Sequence, residues 1–133
     1  MLSTMFSSSA IPVLEQVVNF TEARHNVLAG NIANLDTPGY RTRDLPPAVF
    51  QKRMKAALEQ RDQVGGEVSD GQRTKAVHEV GSSMRSILRH DDNNTSLENQ
   101  VAEMTKNQMQ YSLAMSIMTS QFRLLQAAVS EKA

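Results

Sequence analysis

The chain has 133 residues, 40% hydrophobic and 21% charged, with 14 basic and 14 acidic side chains and no cysteine. That length suits one folding unit, a formal charge of zero removes the electrostatic case for nucleic acid or an anionic membrane as partner, and the missing thiols exclude disulfides and thiolate metal sites. Residues 51–90 hold eight basic against five acidic side chains, and residues 91–133 three against five, an asymmetry too mild to name a partner.

Met1 to Leu14 has no basic start and no long apolar core ahead of small residues, so it does not read as a cleaved secretory signal. No run of the chain approaches a membrane span. Leu14, Val18, Thr21, His25, Leu28, Ile32 and Leu35 then alternate steps of four and three, the spacing of a coiled-coil seam. This predicts a helix from Ile11 to Asn34, with Pro12 in the first turn, where a missing amide proton costs nothing.

The helix ends at Ala33-Asn34-Leu35-Asp36-Thr37-Pro38-Gly39-Tyr40. Pro38 and Gly39 fit the central positions of a type II turn, proline fixing φ and glycine accepting the positive φ that other residues resist. The proline ring pushes Thr37 towards extended geometry. Asn34 and Asp36 can fold back onto backbone groups freed at the helix end.

In residues 41–92, Leu45-Pro46-Pro47 interrupts structure, and Val49, Phe50, Met54, Ala57 and Leu58 predict a short amphipathic helix over 48–60. Residues 62–83, punctuated by Gly65-Gly66, Asp70-Gly71 and Gly81-Ser82-Ser83, lack sustained periodicity and read as a loop or weak hairpin. Met84, Ile87 and Leu88 suggest a helical turn over 83–90.

Asp91 to Asn94 is turn material. Thr95-Ser96-Leu97-Glu98 has capping-box order and predicts a helix start. From there Leu97, Val101, Met104, Gln108, Tyr111, Met115, Met118, Phe122, Leu125 and Val129 keep the four-three alternation. Such a helix is roughly 50 Å long, too long to bury its seam against itself. Asn107 to Phe122 contains no charged residue and is rich in Asn, Gln, Ser and Thr, which suits neither a freely solvated helix nor a membrane span. Packing on several sides by other helices fits better, and Met104, Met109, Met115 and Met118 tolerate contacts that vary between neighbours.

No catalytic, cofactor or metal site is expected. His25, His78 and His90 form no ligand spacing with one another. His25 on the seam reads as a polar residue fixing register. There is no phosphate-binding glycine loop and no nucleophile elbow.

Threonine, proline and glycine make corners in many proteins, but Ala33, Asn34, Thr37, Pro38, Gly39 and Tyr40, preceded by Gly30-Asn31-Ile32, together resemble the N-terminal signature of the bacterial flagellar axial proteins of the rod and hook. Asp91, Asn93, Leu97 and Glu98 partly match a second stretch of that family, with Asp92 where glycine is usual. The short middle segment leaves no room for the inserted domains of hook and distal-rod proteins, so the chain looks like a proximal-rod subunit.

The resemblance implies a mainly α fold in which long N- and C-terminal helices pack as an antiparallel coiled-coil-like pair, joined by a short helix and an irregular loop or weak hairpin. Residues 1–40, 41–92 and 93–133 would together form one structural domain. It implies polymerisation into a helical tube around an export channel, through a seam comprising Leu14, Val18, Leu28, Ile32, Leu97, Val101, Met104, Tyr111, Met115, Met118, Phe122, Leu125 and Val129. Implied partners are other copies of the chain, other rod proteins, the basal-body adaptor at the rod base and the flagellar type III export gate. The implied place is the rod in the periplasmic space, reached without a cleaved signal. A soluble helical adaptor or secretion chaperone gripping one partner helix is the alternative, and a single packing groove on the last helix would distinguish it.

Overall fold

In the computed structural model, which describes residues 9–63, 70–84, 88–90 and 96–131, four helices and one short strand pair follow in the order α1 (Ile11–Ala33), β1 (Arg43–Asp44), α2 (Pro47–Gln63), α3 (Asp70–Ser82), β2 (Arg89–His90) and α4 (Leu97–Ser130). α1 begins where the Ile11 N–H finds the Ser9 hydroxyl at 3.2 Å, with Pro12 in the first turn. It ends at Asn34, whose φ of −110° leaves the helical range. The Thr37-Pro38 pair just beyond cannot continue a helix.

α2 starts one residue earlier and ends three later than its sequence pattern suggests. The Pro46 carbonyl accepts from the Val49 and Phe50 N–H groups at 3.1 and 3.3 Å, so the diproline opens the helix as well as interrupting what precedes it. Phe50, Met54 and Ala57, spaced by four and three, are its buried face.

The expected loop or weak hairpin over 62–83 is corrected in its second half: Asp70–Ser82 is helix α3. Glycines at both ends mask its period, but Val77 and Val80 are buried and Ala76 and Met84 pack beside them, so tertiary burial overrides weak local propensity. Gly81 lies close against α1, where a Cβ would displace the buried Gln16 amide. Of the expected helical turn over 83–90, Met84 is helical, residues 85–87 lie outside the described residues, and the end of the segment is extended. Leu88 is irregular, and Arg89–His90 pairs antiparallel with Arg43–Asp44, Arg43 opposite His90 and Asp44 opposite Arg89; Ile87 lies outside the described residues.

The α2–α3 hairpin thus leaves and rejoins the chain beside the exit of α1. The core sits between this hairpin and α1: Phe20, Leu45, Phe50, Met54, Ala57, Val77 and Val80 form one buried cluster. Within it the Phe20 and Phe50 rings stack with centroids 4.1 Å apart. Burying each such ring contributes about 2–3 kcal/mol.

α4 lies antiparallel along another face of α1: Thr21 meets Asn107, Arg24 meets Glu103 and Asn31 meets Gln100. Its N-cap is Ser96, which makes no side-chain capping bond; Thr95 of the expected capping box lies outside the described residues. Only part of the expected apolar seam of α4 lies towards α1, beside a polar buried line. The buried α4 residues are Gln100, Asn107 and Ala114. Leu97, Val101, Met115, Phe122 and Val129 are exposed, and Met104, Tyr111, Met118 and Leu125 are half-buried. The reason is on α1, where Thr21, Arg24 and Asn31 share the buried face with Leu28. Buried polar groups require polar partners, and α4 turns its own polar line to them.

Candidate functional site

The signature turn folds by local chemistry. The Asn34 side chain donates to the Gly30 carbonyl at 2.8 Å, the Thr37 N–H to the Asn34 carbonyl at 3.0 Å, and the Tyr40 N–H to the Thr37 carbonyl at 3.1 Å. That last bond spans Pro38 and Gly39, and Gly39 has φ +76°, the value a type II turn demands at its third position. Asp36, Thr37, Pro38 and Gly39 are all exposed, while Tyr40 is half-buried.

What ties the turn to the rest is Asn31, which is fully buried. Its Oδ1 accepts from the Tyr40 hydroxyl at 3.1 Å and the Arg43 N–H at 3.0 Å. Its Nδ2 donates to the Arg43 carbonyl at 2.6 Å and to Gln100 Oε1 at 3.1 Å. A primary amide offers two donors and two lone pairs, and all are used. One side chain therefore joins α1, the turn, the strand after it and α4.

About two helical turns below, Arg24 is 3% exposed. Its Nε and one terminal nitrogen grip the two Asp44 oxygens, each at 3.0 Å, and that same terminal nitrogen reaches Glu103 at 2.8 Å. Asp44 Oδ1 also accepts the Leu45 N–H at 2.7 Å, and Lys106 donates to the other Glu103 oxygen at 2.8 Å. Burial works against the charged guanidinium, but hydrogen bonds and charge from Asp44 and Glu103 together hold its pKa above the ordinary value. The Glu103 carboxyl is held below the usual range by hydrogen bonds from Lys106 and then Arg24, against a smaller cost of burial. Further along, Asn107 donates to the Thr21 carbonyl at 2.7 Å.

An open apolar cleft of about 230 Å³ lies beside this seam, walled by Leu14 and Val17 of α1, Pro47 and Phe50 of α2, and Leu113 and Ile117 of α4. On the outside of α4, Met109, Leu113, Ile117 and Leu124 mark one apolar edge. Leu97, Val101, Met115, Phe122 and Val129 mark another on the far side of the buried line. Among the described residues no three His, Asp or Glu side chains are grouped to hold a metal, and no helix is long and apolar enough to cross a membrane.

Of the residues singled out from sequence, Leu28 is buried and Leu14, Val18 and Ile32 half-buried on α1, while Asn34, Thr37, Pro38, Gly39 and Tyr40 meet in the turn with Ala33 at its helical edge. Sequence reasoning missed the functions of Arg24, Asn31, Asp44, Gln100 and Glu103, and it placed Asn107 on the outer face. The signal was present: Thr21, Arg24, Leu28 and Asn31, like Gln100, Glu103 and Asn107, follow the seam spacing, as a polar line that an apolar search passes over.

The N-terminal helix thus closes in a pinned turn, with a long, incompletely covered C-terminal helix beside it. The family model described as flagella basal body rod protein matches residues 19–41, the second half of α1 through the turn. Three curated relatives named flagellar basal body rod protein FlgB extend the likeness over most of the chain. That of Aquifex aeolicus is 28% identical over 110 residues, covering 76% of this chain and 77% of its own. That of Salmonella typhimurium is 26% identical, covering 86% and 88%, and that of Bacillus subtilis 23% identical, covering 92% and 95%. No solved structure matches the chain significantly. Over most of its length the chain is similar to the flagellar basal-body rod proteins.

Proposed function

We propose that the chain polymerises through α1 and α4 into the helical tube of the proximal rod, which transmits torque and encloses the export channel. Its neighbours are other copies, other rod proteins, the basal-body adaptor at the rod base and the flagellar type III export gate. It acts as a structural subunit rather than a catalyst, in the part of the rod that crosses the periplasmic space.

The observation that supports this best is the surface of α4. Its buried line is flanked by an apolar edge on each side, with Met109 67%, Leu113 62% and Leu124 62% exposed on one and Phe122 46% and Val129 47% on the other. Asn107 to Phe122 carries no charge to keep such surfaces apart. An adaptor needs one packing groove, whereas a tube subunit needs contacts on several sides. Because these side chains are exposed in the single chain, a charge there should leave the monomer folded and act on assembly alone. The test is Met115→Asp and Phe122→Asp in a motile strain, with circular dichroism of each purified variant. Native helicity with lost motility is expected, and full motility in both variants would refute the tube role of α4.

A further inference from the structure

The apolar cleft and the second apolar edge of α4 lie on opposite sides of the layer that α1 and α4 form. Leu14 and Val17 wall the cleft on one side and Leu113 and Ile117 on the other, with the stacked Phe20 and Phe50 rings behind them. Among the described residues no charged side chain lines it, and its volume of about 230 Å³ leaves room for a large apolar side chain. Its α4 wall runs on into exposed Met109 and Leu124, so the apolar surface is longer than the cleft and suits an extended partner better than a small ligand.

Met115 sits at the same height as the cleft, between Leu113 and Ile117 in the chain, but it is about 200° round the helix from each of them. It is 38% exposed, and Val101 and Leu97 continue the same edge at 48% and 52%. The stretch from Asn107 to Phe122, which carries both the cleft wall and the Met115 edge, is uncharged. One side of the chain thus offers a neutral hollow and the opposite side a neutral ridge. Two different patches that fit each other give a head-to-tail contact, which repeats from copy to copy, whereas a self-paired patch closes a dimer and stops.

We propose that a second copy of the chain fills the cleft, the Met115 ridge of one subunit seating between α1 and α4 of the next. The inference rests on the rod reading and names the two surfaces that meet. Because the chain has no cysteine, single cysteines report the contact cleanly. Leu113→Cys and Met115→Cys chains are co-produced in a motile strain, and isolated basal bodies are treated with a short bismaleimide. A crosslinked dimer is expected in the mixture, severalfold over either variant alone. A dimer with Leu113→Cys alone, a product with some other protein, or no product in basal bodies that hold both variants overturns the proposal. Finding the unaltered chain in basal bodies upholds the rod reading separately, and its absence there ends both. Should a cysteine block incorporation, charge exchange decides. Met115→Lys and Ile117→Glu should each reduce swarming and together, in one chain, restore it, since residues two apart on a helix do not face each other and the charges can meet only between copies. No restoration overturns the proposal.

Discussion

Asn31 and Arg43, twelve residues apart, exchange two hydrogen bonds as paired strands do: the Arg43 N–H donates to Asn31 Oδ1 at 3.0 Å and Asn31 Nδ2 returns a bond to the Arg43 carbonyl at 2.6 Å. A side-chain amide stands in for a backbone peptide group, and through it the chain leaving the turn is fastened to the helix it has just left. The turn alone sets a corner; this pair sets the direction taken after it.

Asn31→Leu should therefore cost about 3 kcal/mol, since it leaves the Arg43 backbone groups and the Gln100 amide without a buried partner. Asn31→Asp should cost nearly as much, because the carboxylate accepts but cannot donate to the Arg43 carbonyl. Urea unfolding midpoints at constant slope read both, and a loss below ~1 kcal/mol in each would show that water replaces the amide.

At Gly39 conformation and space can be told apart. A Cβ there meets nothing within 4 Å, yet φ is +76°. Gly39→Val should lower stability by about 1–2 kcal/mol through the left-handed backbone alone, whereas Gly39→Asn should cost less than half of that. Thermal unfolding of the two variants measures the difference.

Glu103 predicts an acid dependence. Its pKa is depressed in the fold by Lys106 and Arg24, so the unfolded chain takes up the proton first as pH falls. The stabilisation is complete above the ordinary glutamate range and disappears as pH drops through the lower folded value. The stability advantage of the unaltered chain over Glu103→Gln, taken from urea curves, should be present at neutral pH and vanish in acid. An advantage that grows on acidification would reverse the assigned sign.

Gly81 and Gln16 should couple. Gly81→Ala adds helix propensity of about 1 kcal/mol but drives a methyl group into the Gln16 amide, whose Nε2 lies 3.4 Å from His78 Nδ1. The single variant is expected to be destabilised. In a Gln16→Ala background the same change should stabilise by about 1 kcal/mol. Equal effects in both backgrounds would mean that the two residues do not meet.

Where the chain carried its structure locally, the sequence was legible. Pro12, Asn34 and the Thr37-Pro38-Gly39 run bound α1 nearly to the residue, because capping, proline sterics and positive φ act over four or five positions. Phe50, Met54 and Ala57 likewise mark the inner face of α2 by spacing alone. α3 was lost because its glycines look like punctuation, although Gly81 serves a close helix contact rather than a bend. The polar seam was lost because Arg24, Asn31, Gln100 and Asn107 are ordinary surface residues until a partner with matching groups lies opposite.

By itself, the sequence determined the mainly helical class, the two long terminal helices, the signature turn and the family likeness those carry, all of them properties of residues close together in the chain. Only the tertiary structure decided which line of α4 faces α1. Heptad spacing says which side chains share a face, but not which face a neighbour will take. That choice was made by the buried Thr21, Arg24 and Asn31 of α1, which had to be met by hydrogen-bonding groups, and it left the apolar edges of α4 turned outwards.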